Sequence, residues 1–337
     1  MARTATVTLE FQNVIDHLPV QPQQLYSNAC SNDSVTINSW RPTWIANVKE
    51  NHKRFGPFKD HSVGELHGLF ANQPAIIAGA GPSLKYNGHE LKNRGKIPLV
   101  SCLHNFHFFE DQDIKVDYYV TLDAGEVTIE EVSEGGINVP EWYWDRTKNN
   151  TLLAYIGTSP RLLEKWQGKI LFFTAPVPDN EYTKAVDDIE PFGIYVSNGG
   201  NVLGACMYIA KSFMGCNPII YVGADFSFSY DKKFHGWDSK YDLNLGYVLK
   251  AVDVFGNKVL TWQSYMNFCQ WFQFIAIKVP GIWINATEGG CFGSYPEGNI
   301  AAIKQMELKE VLNMYSMYLE TKNQCEFPGV QEKKILF

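Results

Sequence analysis

The sequence predicts an α/β protein: a Rossmann-like, doubly wound and mostly parallel sheet with helices on both faces, preceded by a small N-terminal extension. Three observations carry this reading. Short runs of buried-strand composition alternate with helical stretches along most of the chain. The first of those runs breaks into the turn Gly79-Ala80-Gly81-Pro82-Ser83, and a second glycine cluster, Ser197-Asn198-Gly199-Gly200-Asn201, directly precedes a compact helix.

The 337 residues exceed the ~250 to 300 at which one core usually stops growing. They divide into an extension over 1–72, a nucleotide-binding catalytic core over 73–296, and a C-terminal helix and tail over 297–337. In the extension, Ala5 to Phe11 alternates like a strand, and the Pro/Gln/Asn/Ser stretch from Pro19 to Ser34 reads as a loop. From Trp40 to Phe70 the pattern turns helical, with Trp44, Ile45, Val48 and then Val63, Leu66, Leu69 at spacings of three or four.

In the core, the first strand begins at Ala75. Further strands follow at Ile97–Cys102, Asp117–Leu122, Thr151–Ile156, Ile170–Phe173 and Ile219–Val222, with a last one at Gly281–Asn285. Helices are predicted over Asn201–Phe213, Leu260–Ile277 and Ile300–Leu319. The last is amphipathic, its Ile303, Met306, Val311, Leu312 and Tyr315 face serving the core or a second copy of the chain. Between them, Ser227 to Gly256 is polar, aromatic and irregular, as lids and substrate platforms are.

Composition narrows the partners. A net charge of −7 argues against a nucleic-acid binder that works by neutralising a phosphate backbone. No apolar run approaches the ~20 residues needed to span a bilayer, and Met1 to Val20 lacks a cleavable apolar core, so a cytoplasmic protein is expected. Seven Cys, scattered singly with no Cys-x-x-Cys pair, predict reduced and mostly buried thiols.

The two glycine turns are where chemistry is expected. Gly79 and Gly81 permit a tight turn with close backbone approach to a ligand, and Pro82-Ser83 can open a helix whose free N–H groups face an anion. Position 84 is Leu where the dinucleotide fingerprint needs its third glycine, so the NAD reading is incomplete. Asn198, Gly199, Gly200 and Asn201 place polar caps and exposed N–H groups at the positive end of the following helix. Asp123 and Asp225 each follow a strand end, where carboxylates face the ligand crevice and can hold a ribose hydroxyl, a metal-bound phosphate or a reacting proton. His235, in Phe234-His235-Gly236-Trp237, is a candidate general acid or base. Asn257, Thr287 and Glu288, in small-residue turns, are candidate substrate contacts.

The order Gly-Ala-Gly-Pro-Ser-Leu, Tyr-Val-Thr-Leu-Asp, Gly-Gly-Asn-Val, Tyr-Val-Gly-Ala-Asp-Phe with a following His, Phe-Gly-Asn-Lys-Val and Asn-Ala-Thr-Glu-Gly-Gly resembles the MptE-like family. That family includes the flagellar motility accessory factors, Maf, and archaeal 6-hydroxymethylpterin pyrophosphokinases. The resemblance spans about Trp40 to Gly293. The same frame is similar to the bacterial sialyltransferases that use CMP-sialic acid, whose Gly-Asn-Gly-Pro-Ser-Leu turn matches Gly79 to Leu84. Two positions depart from that pattern: Ala80 stands for their Asn, and Asn257 for their catalytic His. Asn is no base at neutral pH. By this resemblance the base falls to His235 or Asp225.

The resemblance implies a nucleotide-dependent transferase, foremost a Maf-like glycosyltransferase using a CMP-activated nonulosonic acid, with a small-molecule, glycan or protein acceptor and no tightly bound cofactor. Gly79, Gly81, Pro82, Ser83 and Asn198 to Asn201 would hold phosphate and ribose, and Asp123 the nucleoside. The rival reading is pyrophosphoryl transfer from ATP to a hydroxymethylpterin, with Mg²⁺ on Asp123 and Asp225. A third reading, resting on Ala80 and Asn257, is a binding or structural protein that keeps the fold without the chemistry.

Overall fold

The computed structural model describes residues 20–132, 139–228, 248–295 and 298–322. Its centre is an eight-stranded sheet of β1 (Ala75–Ala78), β2 (Leu99–Cys102), β3 (Tyr118–Thr121), β4 (Thr151–Tyr155), β5 (Lys169–Phe173), β6 (Ile219–Val222), β9 (Trp283–Asn285) and β12 (Ile303–Gln305). The spatial order is β5-β4-β3-β2-β1-β6-β9-β12, and every pairing is parallel. Parallel strands are covered on both faces, which is why β1 reads Ala-Ile-Ile-Ala and is fully buried. Each such Ile contributes about 1.5–3 kcal/mol by leaving water.

The chain lays β1 to β5 outward in one direction, then returns to place β6 against the other side of β1, with Ile77 opposite both Val100 and Tyr221. The reversal lies between β1 and β6. In an open parallel sheet the crevice for a ligand opens at such a point, at the carboxyl ends of the strands.

Helices α1 (Val20–Phe55), α2 (Leu84–Asn87), α3 (Phe106–Asp111), α4 (Val127–Val132), α5 (Pro160–Lys165), α6 (Asn180–Asp187), α7 (Val202–Tyr208), α8 (Gln263–Lys278) and α9 (Leu308–Lys322) cover the sheet. None of the described helices is long and apolar enough to cross a membrane. A π-helical turn at Ile209–Phe213 prolongs α7, so the predicted helix to Phe213 is present. Two small antiparallel pairs complete the chain: the hairpin β7 (Val248–Val252) with β8 (Lys258–Trp262), and β10 (Ser294–Tyr295) with β11 (Gly298–Asn299).

Four expectations are corrected. The stretch from Pro19 to Ser34 was expected to be a loop because Pro, Asn and Ser are weak helix formers, yet Val20–Phe55 is one helix and even contains Pro42. Two asparagines fix its C-terminal half. Asn47 Nδ2 donates to the carbonyls of Ala124 and Gly157, both at 3.0 Å, and Asn51 Nδ2 donates to Ile156 at 2.9 Å and Thr158 at 2.8 Å. Helix α8 starts at Gln263 rather than Leu260, because Leu260 to Trp262 finish strand β8. The end of the supposed loop Ser227–Gly256 forms β7, the other half of that hairpin. The terminal helix starts at Leu308 and not Ile300, since Ile303–Gln305 forms the edge strand beside β9. The predicted strand Ala5–Phe11 lies outside the described residues.

Candidate active site

Both glycine turns sit on the carboxyl edge of the sheet. After β1 the chain runs so close to the chain after β6 that Gly79 N–H donates to Val222 and Gly81 N–H to the Gly223 carbonyl, each at 2.9 Å. A Cβ at Gly79 would overlap the Gly223 carbonyl, and one at Gly81 would overlap the Asp225 carboxylate. The glycines are there for this contact between two stretches of backbone.

Asp225 fills the seat that the first turn offers to an anion. Its carboxylate accepts from Ser83 Oγ at 2.7 Å and from Ser83 N–H at 3.2 Å. The residue is only 5% exposed. Burial raises its pKa from the ordinary 3.8 to about 7, with the Ser83 hydrogen bonds pulling the other way. The turn after β9 closes over it: Gly290, at φ +68°, leaves no room for a side chain against the Asp225 backbone, and Cys291 N–H donates to the Asp225 carbonyl at 2.7 Å.

The second turn is built differently. Asn198 Oδ1 accepts from Gly200 N–H at 2.8 Å, and Asn201 caps α7 by accepting from Gly204 N–H at 3.0 Å. Gly199 and Gly200 take φ of +58° and +89°, which favours glycine. A Cβ on Gly199 would come within 2.5 Å of the Trp271 indole, and one on Gly200 within 2.9 Å of the Phe268 ring. The turn is thus laid flat against α8. Leu203, in the first turn of α7, reaches to 3.5 Å from where a Gly79 Cβ would stand, so the two glycine turns adjoin.

Asn105, which the sequence reading passed over, ties this corner together. It follows β2, is fully buried, and its Nδ2 donates to the Gly79 carbonyl at 3.0 Å and to Ser101 Oγ at 2.9 Å. Its Oδ1 has no hydrogen-bond partner among the described residues. A buried acceptor so placed is costly unless something donates to it. Applying the strand-tip argument to β2 as well as to β3 and β6 would have found it.

The remaining candidates scatter. Asp123 is exposed at the tip of β3, its carbonyl accepting from Ser159 N–H at 3.4 Å. Strands β3 and β6 stand three places apart, on the order of 14 Å, so Asp123 and Asp225 are not brought together. Asn257 closes the β7–β8 hairpin, its N–H donating to Asp253 Oδ1 at 2.8 Å and its Nδ2 to Asp253 Oδ2 at 3.3 Å. Thr287 is buried and its hydroxyl accepts from Ala224 N–H at 3.1 Å. Glu288 Oε1 accepts from Asn87 Nδ2 at 3.0 Å and from Leu308 N–H at 2.9 Å, capping α9. Both thus carry structural hydrogen bonds of their own. His235 lies outside the described residues.

An open parallel sheet with two glycine turns meeting at its reversal point defines a Rossmann-like α/β protein. The chain belongs to the MptE-like family, described as 6-hydroxymethylpterin diphosphokinase MptE-like, which it matches over residues 43–231. Among solved structures it is similar to the MAf glycosyltransferase from Magnetospirillum magneticum AMB-1, with a TM-score of 0.53 and 13% sequence identity over 79% of this chain. The match spans 41% of that longer protein. Comparison with curated proteins finds no match.

Proposed function

We propose that the chain is a glycosyltransferase that takes its sugar from a CMP-activated nonulosonic acid. The observation that supports this most is the junction of the two glycine turns at the β1/β6 reversal, with the buried acceptor of Asn105 beside it. In this reading the phosphate lies at the Asn198–Asn201 turn, where the dipole of the following helix favours negative charge. Gly79 and Gly81 let the backbone approach the nucleotide, while Pro82 and Ser83 shape the wall through the Ser83–Asp225 clamp. Asp123 stands further along the edge, where it can reach the nucleoside.

In the reaction, an acceptor hydroxyl oxygen bonds to the anomeric carbon as the bond from that carbon to the phosphate oxygen breaks. CMP leaves with the electron pair, and the hydroxyl proton passes to a base. Asp225 is poorly suited to that task, being enclosed and committed to Ser83. His235 is the base we assign. The rate gain would come from positioning and from stabilising the leaving phosphate.

The pyrophosphokinase reading would have Asp123 and Asp225 share Mg²⁺. The residues do not fit that role: one carboxylate is exposed at β3, the other enclosed at β6 and occupied by Ser83. Titration decides between the two. CMP is expected to bind and raise the melting temperature in the presence of EDTA. A response to ATP with Mg²⁺ alone, and none to CMP, would overturn the glycosyltransferase proposal.

A further inference from the structure

A cavity of about 520 Å³ opens at the carboxyl edge of the sheet on the β3 and β4 side, outside the residues assigned above to the nucleotide. Its walls come from three places: Asn47 and Arg54 on α1, residues 124–126 in the loop after β3, and residues 159–161 with Glu164 at the start of α5. Strand β1 stands two places from β3 and three from β4, on the order of 10 to 14 Å, so the cavity is separate from the junction of the glycine turns. Its volume lies within the range of about 300 to 1,000 Å³ usual for small-molecule sites.

Polar groups at this spot are incompletely paired. Ser159 lines the cavity and is only 2% exposed, yet its hydroxyl does not cap the helix that it precedes. Next to it, the fully buried Thr158 Oγ1 and Asn51 Oδ1 have no hydrogen-bond partner among the described residues. Buried polar groups are ordinarily paired. Of the three, Ser159 is the one that borders the cavity, where a ligand hydroxyl can pair with it.

The charges on the walls are balanced. Arg54 Nη1 donates to Glu164 at 2.7 Å from across the cavity, and Arg161 Nη1 donates to Glu126 at 3.2 Å. A phosphate or carboxylate entering here meets the two glutamates as well as the arginines, and a cation meets the reverse. Among the described residues no aromatic side chain lines the cavity, so a flat base has no ring to stack on. A ligand with many hydroxyls and no charge is what such walls can use. A hydroxyl accepts from a guanidinium N–H and donates to the carboxylate beside it, while Ala124 and Pro160 offer apolar patches to the C–H face of a sugar ring. We infer that this cavity is a binding site for a neutral saccharide, held between the Arg54–Glu164 and Arg161–Glu126 pairs with Ser159 against one of its hydroxyls. The inference goes beyond the glycosyltransferase reading and does not depend on it, because binding is read without transfer.

The test is saturation-transfer NMR on the full chain with the methyl glycosides of glucose, galactose, mannose and N-acetylglucosamine. Sugar C–H signals are expected from at least one of them, and a titration of that sugar gives its affinity. Arg161→Ala, Glu164→Ala and Ser159→Ala are each expected to weaken it about fivefold or more. The two charged residues are exposed and their ion pairs add little to stability, so these variants fold, which melting curves check. Saturating CMP is expected to leave the sugar signals in place. Signals from none of the four glycosides, or an affinity unchanged in all three variants, would overturn the inference. Displacement of the sugar by CMP would assign the cavity to the nucleotide, and displacement by inorganic phosphate at constant ionic strength would make it an anion site; either rejects the proposal. A chain that binds the sugar but never CMP keeps this site and loses the glycosyltransferase reading.

Discussion

At the scale of single residues, the governing fact is that a carboxylate of this chain occupies the anion seat of its own first glycine turn. Asp225 is enclosed with Ser83 as its hydrogen-bond donor, and burial lifts its pKa to about 7. The folded chain therefore holds the Asp225 proton more tightly than the unfolded chain, whose carboxyl titrates near 3.8. The resulting stability is fully present below pH 3.8 and is lost as the pH rises through about 7. The loss is of the order of a few kcal/mol. Asp225→Asn removes this dependence, because the amide does not titrate while its oxygen can still accept from Ser83 N–H. Urea unfolding of both proteins across pH 4 to 8 checks it: a wild-type curve no steeper than that of the variant would contradict the account. The sequence located Asp225 at a strand tip correctly, but not what it faces. That needed Ser83, which is 142 positions away along the chain.

At the scale of elements, α1 is tied to the carboxyl edge of the sheet by its own side-chain amides. Through Asn47 and Asn51 it takes up four carbonyls from the loops after β3 and β4. Asn51 is fully buried, so Asn51→Leu strands the Ile156 and Thr158 carbonyls without their donor. The expected cost is about 1–3 kcal/mol, read as a lower urea midpoint at unchanged slope. No shift would mean that α1 does not depend on these bonds. Strands β1 to β6 were legible because parallel strands buried on both faces are plain apolar runs. The edge pieces β8 and β12 were not, since short apolar stretches fit a helix as well as a strand until a neighbour is known.

At the scale of the whole molecule, the strand order makes β1 the centre of the sheet, flanked by β2 and β6 and sealed by helices. Amides of β1 and β6 are expected to exchange slowest with deuterium, near the global unfolding limit, and those of edge strands β5 and β12 sooner. Native-state exchange measured by mass spectrometry checks this, and early exchange in β1 would contradict the architecture. Family membership and fold agree with this arrangement, the resemblance carried by the six motifs having pointed to the same family.

The sequence by itself determined the fold class, the positions of the central strands and the two glycine turns, because apolar runs and glycines act through local backbone chemistry. Only the tertiary structure decided that the turns adjoin, that Asp225 occupies one of them, that Asn105 leaves a buried acceptor at their junction, and that Asp123 stands apart from Asp225. Each of those depends on which strands become neighbours, and the return of the chain from β5 to β6 is set by packing among residues far apart in the sequence.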